Sequence, residues 1–243
     1  MADQRATSFG TNAGVYEQGR PDYPRDAVSW LVGDAQQIVD VGAGTGKLTR
    51  VLVALPGTTV VAVEPDAHML DELRAHVPGV RAERGAAEKL PLPDDSADAV
   101  VFGQSWHWVD VPTASREVAR VLRPGGTLGM LWNIRDNRTD WVQRMTDFMD
   151  VAVAEGLFES GGPQVGEPFG ALESREWAWS RPMTRAMLHN MASSRSNIIA
   201  ASDEKRAQVR RDTDALLDEL GVHGDETIDL PYVTKAFRVS LPR

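Results

Sequence analysis

Ile38-Val-Asp-Val-Gly-Ala-Gly-Thr-Gly46 is a short β-branched run that ends abruptly in three alternating glycines, and it opens directly onto Lys47-Leu-Thr-Arg-Val-Leu-Val-Ala-Leu55. The first run has the character of a buried strand, the second that of a helix, and Pro56-Gly57 closes the helix. Thr58-Thr-Val-Val-Ala-Val63 follows as a second, continuously apolar strand. Such runs belong to parallel sheets covered on both faces, because alternation is lost once neither face meets water.

The alternation continues on both sides of this unit. Upstream, residues 1–30 are polar and broken by Gly14, Gly19, Pro21 and Pro24, an N-terminal arm leading into a short helix over Asp26-Ala-Val-Ser-Trp-Leu-Val32. Downstream, Met69, Leu70, Leu73 and Val77 recur at helical spacing, and a weak third strand is expected near Val80-Arg-Ala-Glu83. Ala97-Asp-Ala-Val-Val-Phe102 reads as a fourth strand. Val111, Ala114, Val118, Val121 and Leu122 trace a helix face that stops at Pro124-Gly125-Gly126, and Thr127-Leu-Gly-Met-Leu-Trp132 reads as a fifth strand. Five strand–helix units in series imply a mostly parallel, doubly wound α/β sheet with right-handed crossovers. Beyond it, Trp141 to Val153 reads as helix and Glu173 to Ser180 as a half-exposed sixth strand. Ser202 is placed to cap a helix carrying Val209, Leu216, Leu217 and Leu220 and leaving at Gly221. A last strand near Ile228 to Val239 completes seven. The expected organisation is one domain over 1–243, with a cofactor-binding core at 38–133 and a helical insertion at 184–224, before the last strand, that caps the substrate.

At 243 residues, with 42% apolar and 25% charged residues, the chain has material for one large hydrophobic core. Twenty-six basic against 35 acidic residues leave a formal charge of −9, which repels polyanions and disfavours a nucleic-acid partner. The absence of cysteine excludes disulfides, thiolate metal sites and cysteine nucleophiles. Five scattered histidines lack ligand spacing, so no metal is expected. No apolar run approaches the roughly 18 to 20 residues that span a bilayer. The expectation is a cytoplasmic protein without a membrane partner, monomeric or homodimeric.

The spacing of the glycines sorts the cofactors. A dinucleotide fingerprint counted from Gly42 and Gly44 places its third glycine at position 47, which is Lys47 here; the third glycine is Gly46. A Walker-type phosphate loop needs a glycine at 41 and Ser or Thr at 48, where the chain has Val41 and Leu48. A strand-to-helix glycine turn still brings main chain against a ligand, with the N–H groups of the helix's first turn expected to meet its polar group. Asp40, inside an otherwise apolar strand, needs a donor or a cation, and the amino group of a methionine moiety satisfies that where a pyrophosphate is repelled. Glu64 ends the second strand twenty residues after Gly44, where an acid accepts both hydroxyls of a ribose.

Val39-Asp-Val-Gly-Ala-Gly-Thr-Gly46, with Glu64-Pro65 and Leu122-Arg-Pro-Gly-Gly126, resembles the seven-stranded class I S-adenosylmethionine-dependent methyltransferases over most of residues 38–133. Tyr16-Glu-Gln-Gly-Arg-Pro-Asp-Tyr-Pro24 and Gln104-Ser-Trp-His-Trp-Val-Asp110 are similar to the type 11 small-molecule group, including the trans-aconitate methyltransferase-like enzymes. The resemblance implies that Asp40, Gly42, Ala43 and Gly44 line the methionine part and that Glu64 holds the ribose, with Pro65 and Met69 beside it. It further implies that the loop Ala86-Ala87-Glu88 borders the adenine and that the backbone of Gln104 faces the methionine end and sulfonium, with Ser105 and Trp106 beside it among the expected cofactor-binding residues. Tyr16 and Arg20 lie on an arm able to fold over the site, where a planar guanidinium suits a carboxylate.

On the acceptor side, Trp106, His107 and Trp108 follow strand four directly and so stand at the carboxyl edge where open α/β sheets bind ligands. An imidazole titrates near neutrality, which makes His107 the candidate catalytic residue, as general base toward a protonated acceptor. Arg135, Arg138 and Arg195 are further cations for a carboxylated acceptor, while Trp177 and Trp179 share a strand face and read as packing. The sequence therefore points to methyl transfer from S-adenosylmethionine to a small molecule, with a carboxylic acid as the candidate acceptor. A non-catalytic binder of S-adenosylmethionine or S-adenosylhomocysteine, and an NAD-dependent oxidoreductase, stand as the alternatives.

Overall fold

A computed structural model describes residues 21–149, 156–158, 161–193, 196–199 and 201–243. Its centre is a seven-stranded sheet in the order β3-β2-β1-β4-β5-β7-β6. The strands are β1 (Gln37–Val41), β2 (Thr59–Glu64), β3 (Arg81–Arg84), β4 (Ala97–Gly103), β5 (Leu122–Arg135), β6 (Glu173–Thr184) and β7 (Thr227–Ser240). β1 pairs in parallel with β2 and β4, as do β2 with β3 and β4 with β5, whereas β7 runs antiparallel between β5 and β6. The order reverses between β1 and β4. That switch point is where an open α/β sheet leaves a crevice outside its carboxyl ends.

Helices α1 (Arg25–Val32), α2 (Lys47–Val53), α3 (Ala67–His76) and α4 (Val111–Val121) cover the two faces of the sheet. One apolar layer joins Val39, Val41, Val100, Phe102, Leu128 and Met130 to Ala114, Val118 and Val121 of α4. The other joins Ile38, Ala99, Val101 and Leu131 to Val28 and Leu31 of α1 and Leu48 and Leu52 of α2. Val39 and Val41 fall in one layer and Ile38 in the other, as the two-residue period of a strand requires.

Most boundaries fall within a residue or two of the sequence expectation, and two strands differ by more. β5 begins at Leu122, not Thr127, because Leu122 is already extended (φ −72°, ψ 138°) and pairs with Ala97. Pro124-Gly125-Gly126 then falls in the irregular step of the ladder between the Ala97 and Ala99 pairings, so the proline follows the helix stop instead of making it. β6 continues past Ser180 to Thr184 because its whole length is paired with β7, from Glu173 opposite Arg238 to Thr184 opposite Thr227. Trp177 and Trp179 are packing residues: the first lies 5.6 Å from Trp30, and the second stacks on Tyr232 and donates its indole N–H to Thr234.

Between β6 and β7 the chain forms α6 (Arg185–Ser193), α7 (Ser196–Ile199) and α8 (Asp203–Glu219), which pack with α5 (Asp140–Met149) around a second apolar core. Ser202 caps α8 by accepting the Lys205 N–H, and the helix buries Val209, Leu216 and Leu217 against Met145, Leu188 and Met191. Since β6 lies parallel to β5 through the intervening β7, its Thr184 end delivers this helical layer to the same sheet edge as the carboxyl ends of β4 and β5. The expected helix over Trp141–Val153 is described as far as Met149; the rest lies outside the described residues. No described helix is long and apolar enough to cross a membrane.

Candidate active site

The glycine turn is held by the strand beside it. Val63 O accepts the N–H groups of Gly42 (2.8 Å) and Ala43 (3.2 Å), Ala43 O accepts that of Gly46, and a Glu64 carboxylate oxygen accepts that of Gly44 at 2.8 Å. These four donors, which precede the first turn of α2, are engaged inside the protein. A turn whose amides are satisfied this way offers shape to a ligand more than anion binding, which fits the failure of both phosphate fingerprints. Gly42 has no substitute here: its φ is +67°, and an added Cβ would lie 2.6 Å from Ser105 Cβ. Ser105 in turn donates its hydroxyl to Val41 O at 2.8 Å, closing the end of β1 onto the segment after β4.

Two carboxylates face this turn. Asp40 is fully buried on β1; one oxygen accepts the Thr49 hydroxyl of α2 at 2.6 Å and the other, Oδ1, is buried with no hydrogen-bond partner. Burial pushes its pKa up to about 7, opposed by the Thr49 hydroxyl and reinforced by the nearby Glu64. An orphaned buried carboxylate oxygen is costly, and a ligand ammonium removes that cost by supplying both charge and protons. Glu64, 5% exposed, is also raised by burial, while the N–H groups of Asp66 (3.0 Å) and Gly44 pull it down. Each of its oxygens retains a second lone pair, so the side chain is oriented by the backbone and still able to accept hydroxyls.

The neighbouring candidates divide by what they touch. Asp66 caps α3 by accepting the N–H groups of His68 and Met69, and the Met69 side chain is 4% exposed within the protein interior. Ala87 is buried in the same apolar layer as Trp106, and Glu88 accepts the Asp110 N–H at 2.9 Å, tying the loop after β3 to the start of α4. Pro65 is half-buried, and its carbonyl accepts from Arg84. Gln104 carries a left-handed backbone (φ +53°), unusual for a residue with a side chain, while its N–H remains bonded to Leu131 O. The ring of Trp106 is 2% exposed, edge-on to Phe102 at 4.7 Å, with its indole N–H on Gln164 O; its side chain packs the protein interior.

His107 sits in a one-turn 3-10 helix (Trp106–Trp108) at the carboxyl end of β4. Its Nδ1 accepts the indole N–H of Trp132 on β5 at 3.2 Å, and its ring lies 4.7 Å from that of Trp108. Tyr16, Arg20 and Arg195 lie outside the described residues. The arm is described from residue 21, where Asp22 receives Lys47 and Arg50 on its side chain and Asn133 on its carbonyl, which leads the arm across the carboxyl edge. Arg135 is buried at the carboxyl end of β5, whereas Arg138 is 80% exposed and paired with Asp136. Among the described residues no cluster of acids and histidines is suited to a metal ion.

Three residues escaped the sequence reading: Thr49, Trp132 and Asp22. Thr49 carries a recoverable signal, a polar residue on the buried face of α2 between Leu48 and Leu52. Trp132 and Asp22 carry none, because each acts through a contact distant in the chain.

Residues 39–130 match the methyltransferase domain family. An uncharacterized methyltransferase of Mycobacterium tuberculosis is 42% identical over 96% of this chain and 96% of its own length, and an uncharacterized methyltransferase-like protein of Schizosaccharomyces pombe is 32% identical over 98% and 97%. A protein of Anaeromyxobacter dehalogenans assigned as a type II methyltransferase shares the fold, with a TM-score of 0.71 at 19% identity, covering 92% of this chain and 99% of that one. With a family model matching its central residues, whole-length methyltransferase relatives, and a strand order that reverses beside the glycine turn, the chain belongs to the class I S-adenosylmethionine-dependent methyltransferases.

Proposed function

We propose that this protein methylates a small cytoplasmic metabolite carrying a carboxylate, as the trans-aconitate methyltransferase-like group does. The observation that carries the cofactor side is the buried, unpartnered Oδ1 of Asp40, beside a Glu64 held by two backbone amides. In this reading Asp40 takes the methionine ammonium, Gly42, Ala43 and Gly44 pack against the methionine chain, and Glu64 accepts the ribose hydroxyls. Pro65, Met69, Ala87 and Glu88 shape the adenine side, Gln104, Ser105 and the backbone of Trp106 face the sulfonium, and Tyr16 and Arg20 approach from the arm. When bound, S-adenosylmethionine supplies a methyl group on a sulfonium, and its departure returns the bonding pair to sulfur.

The protein's own part is mainly positioning, since an in-line displacement needs the acceptor held about 3 Å away and aligned. His107, flanked by Trp108 and Trp132, stands where the acceptor enters, and the helical layer α5 to α8 covers the same edge. Buried Arg135 at the carboxyl end of β5 favours a negatively charged acceptor over a cationic one. Incubation with S-adenosylmethionine and a panel of mono-, di- and tricarboxylic acids, read by mass spectrometry, is expected to yield a methyl ester and S-adenosylhomocysteine in equal amounts. Methylation confined to amines or phenols would overturn the acceptor class; binding without any turnover would make the protein a cofactor-holding module. Glu64→Ala is expected to weaken S-adenosylhomocysteine binding by about 1.5–3 kcal/mol for each charged hydrogen bond lost, as measured by calorimetry.

A further inference from the structure

Trp132 is fully buried on β5, edge-on to Phe158 (5.5 Å, 85°) and Phe237 (6.0 Å, 75°), so its indole is fixed by packing on more than one side. Its Nε1–H donates to His107 Nδ1 at 3.2 Å. An indole nitrogen is a donor only, so the nitrogen it meets must present a lone pair. A proton on Nδ1 would set two N–H groups against each other, which excludes both the Nδ1–H tautomer and the imidazolium while this bond holds. The remaining neutral form carries its proton on Nε2.

From this bond we infer that Trp132 is a positioning residue that holds His107 in the Nε2–H tautomer, so that His107 does not serve the acceptor as a general base. The inference rests on the placement of His107 at the acceptor side, and it narrows the acceptor to one that already bears its nucleophilic lone pair, as a carboxylate does. Methyl transfer then balances without a proton: the bond from sulfur to methyl breaks, its electron pair stays on sulfur, and a carboxylate oxygen pair forms the new bond. A neutral hydroxyl, which must lose a proton as it is methylated, finds no basic nitrogen at His107.

Long-range proton–nitrogen correlation on the full-length protein, with 15N-labelled histidine, reads this directly, both alone and saturated with S-adenosylhomocysteine. The expected spectrum for His107, assigned by its loss in His107→Gln, shows an unprotonated Nδ1 and a protonated Nε2 in both states. Reversal of that pattern in either state would make Nε2 the basic nitrogen and overturn the inference. Trp132→Phe keeps an aromatic ring but removes the donor, and the His107 resonances are expected to move toward a mixture of tautomers with S-adenosylhomocysteine affinity unchanged. Unmoved resonances in that variant would show that another group sets the tautomer. Where Trp132→Phe does not fold, the wild-type spectrum alone decides. Failure of the carboxylic-acid screen leaves this spectrum as expected, whereas a reversed spectrum with active ester formation removes only the inference, so the two readings fail separately.

Discussion

The two halves of the carboxyl edge are built from different materials. At the ends of β1 and β2 polar side chains are tied down by hydrogen bonds: Asp40 by the Thr49 hydroxyl, and Glu64 and Ser105 by backbone, at the amides of Gly44 and Asp66 and at Val41 O. Around α5, α6 and α8 the buried groups are mainly apolar and rich in methionine, with Met145, Met149, Met183 and Met191 in one cluster, and buried Thr146 and Thr213 bond back to their own helices. The polar contacts of that layer lie outside the cluster, as in Arg185 with Asp214 and Asp218 or Arg144 with Glu219. Hydrogen bonds to fixed backbone have one satisfactory geometry, whereas unbranched thioether side chains fill irregular space in several ways.

The largest effect that separates the halves is expected from Gly42→Ala. A non-glycine residue at φ +67° costs about 1–3 kcal/mol, and overpacking against Ser105 costs about a further 1–3 kcal/mol. Denaturant unfolding should register the loss, and adding Ser105→Gly should restore the packing part. A Gly42→Ala protein as stable as wild type would show that this end is no more rigid than the other.

A smaller effect, graded with pH, is expected from Asp40. Its folded pKa of about 7 lies above its value in the unfolded chain, so the native state holds the extra proton between the two values. Stability of the unliganded protein should therefore fall as pH rises from about 4 to about 7, by at most about 1.4 kcal/mol per pH unit, and level off above. Glu64, also raised by burial, contributes to the fall in the same direction. S-adenosylhomocysteine, through its ammonium, should bind the ionised Asp40, so affinity should climb with pH over the same range and protons be released on binding. Calorimetry in buffers of different ionisation enthalpy measures that release, and Asp40→Asn should abolish it.

The smallest effect belongs to the helical layer. Arg185 reaches Asp214, Asp218 and the Val222 carbonyl, yet these groups are partly solvated, so Arg185→Leu should cost no more than about 1 kcal/mol. Hydrogen exchange should quicken in α6 and α8 while S-adenosylhomocysteine affinity stays at its wild-type value. A shared loss of affinity would mean that the two halves are coupled.

The cofactor end was legible because its determinants are consecutive: a β-branched strand, a glycine turn, a helix, and an acid at the end of the next strand all fall between Ile38 and Glu64. Which atoms those determinants use was not. The turn's amides are consumed by Val63 O and Glu64, and Trp106 turns its ring into the apolar layer while its neighbour His107 stays at the edge. A three-residue 3-10 turn has no periodicity long enough to assign faces in advance.

Local periodicity and turn chemistry by themselves determined the strand–helix alternation, the parallel sheet and the seventh strand after a helical insertion, because each depends on residues near one another in the chain, while the cofactor class came from the family resemblance of the same consecutive motifs. Only the tertiary structure decided the partners of single side chains: Thr49 beneath Asp40, Trp132 behind His107, Asp22 bridging α2 and β5. Such contacts are selected by how helices dock on the sheet, and docking is set by the whole apolar layer at once. A lone tryptophan at the end of a strand carries no mark of the histidine it orients.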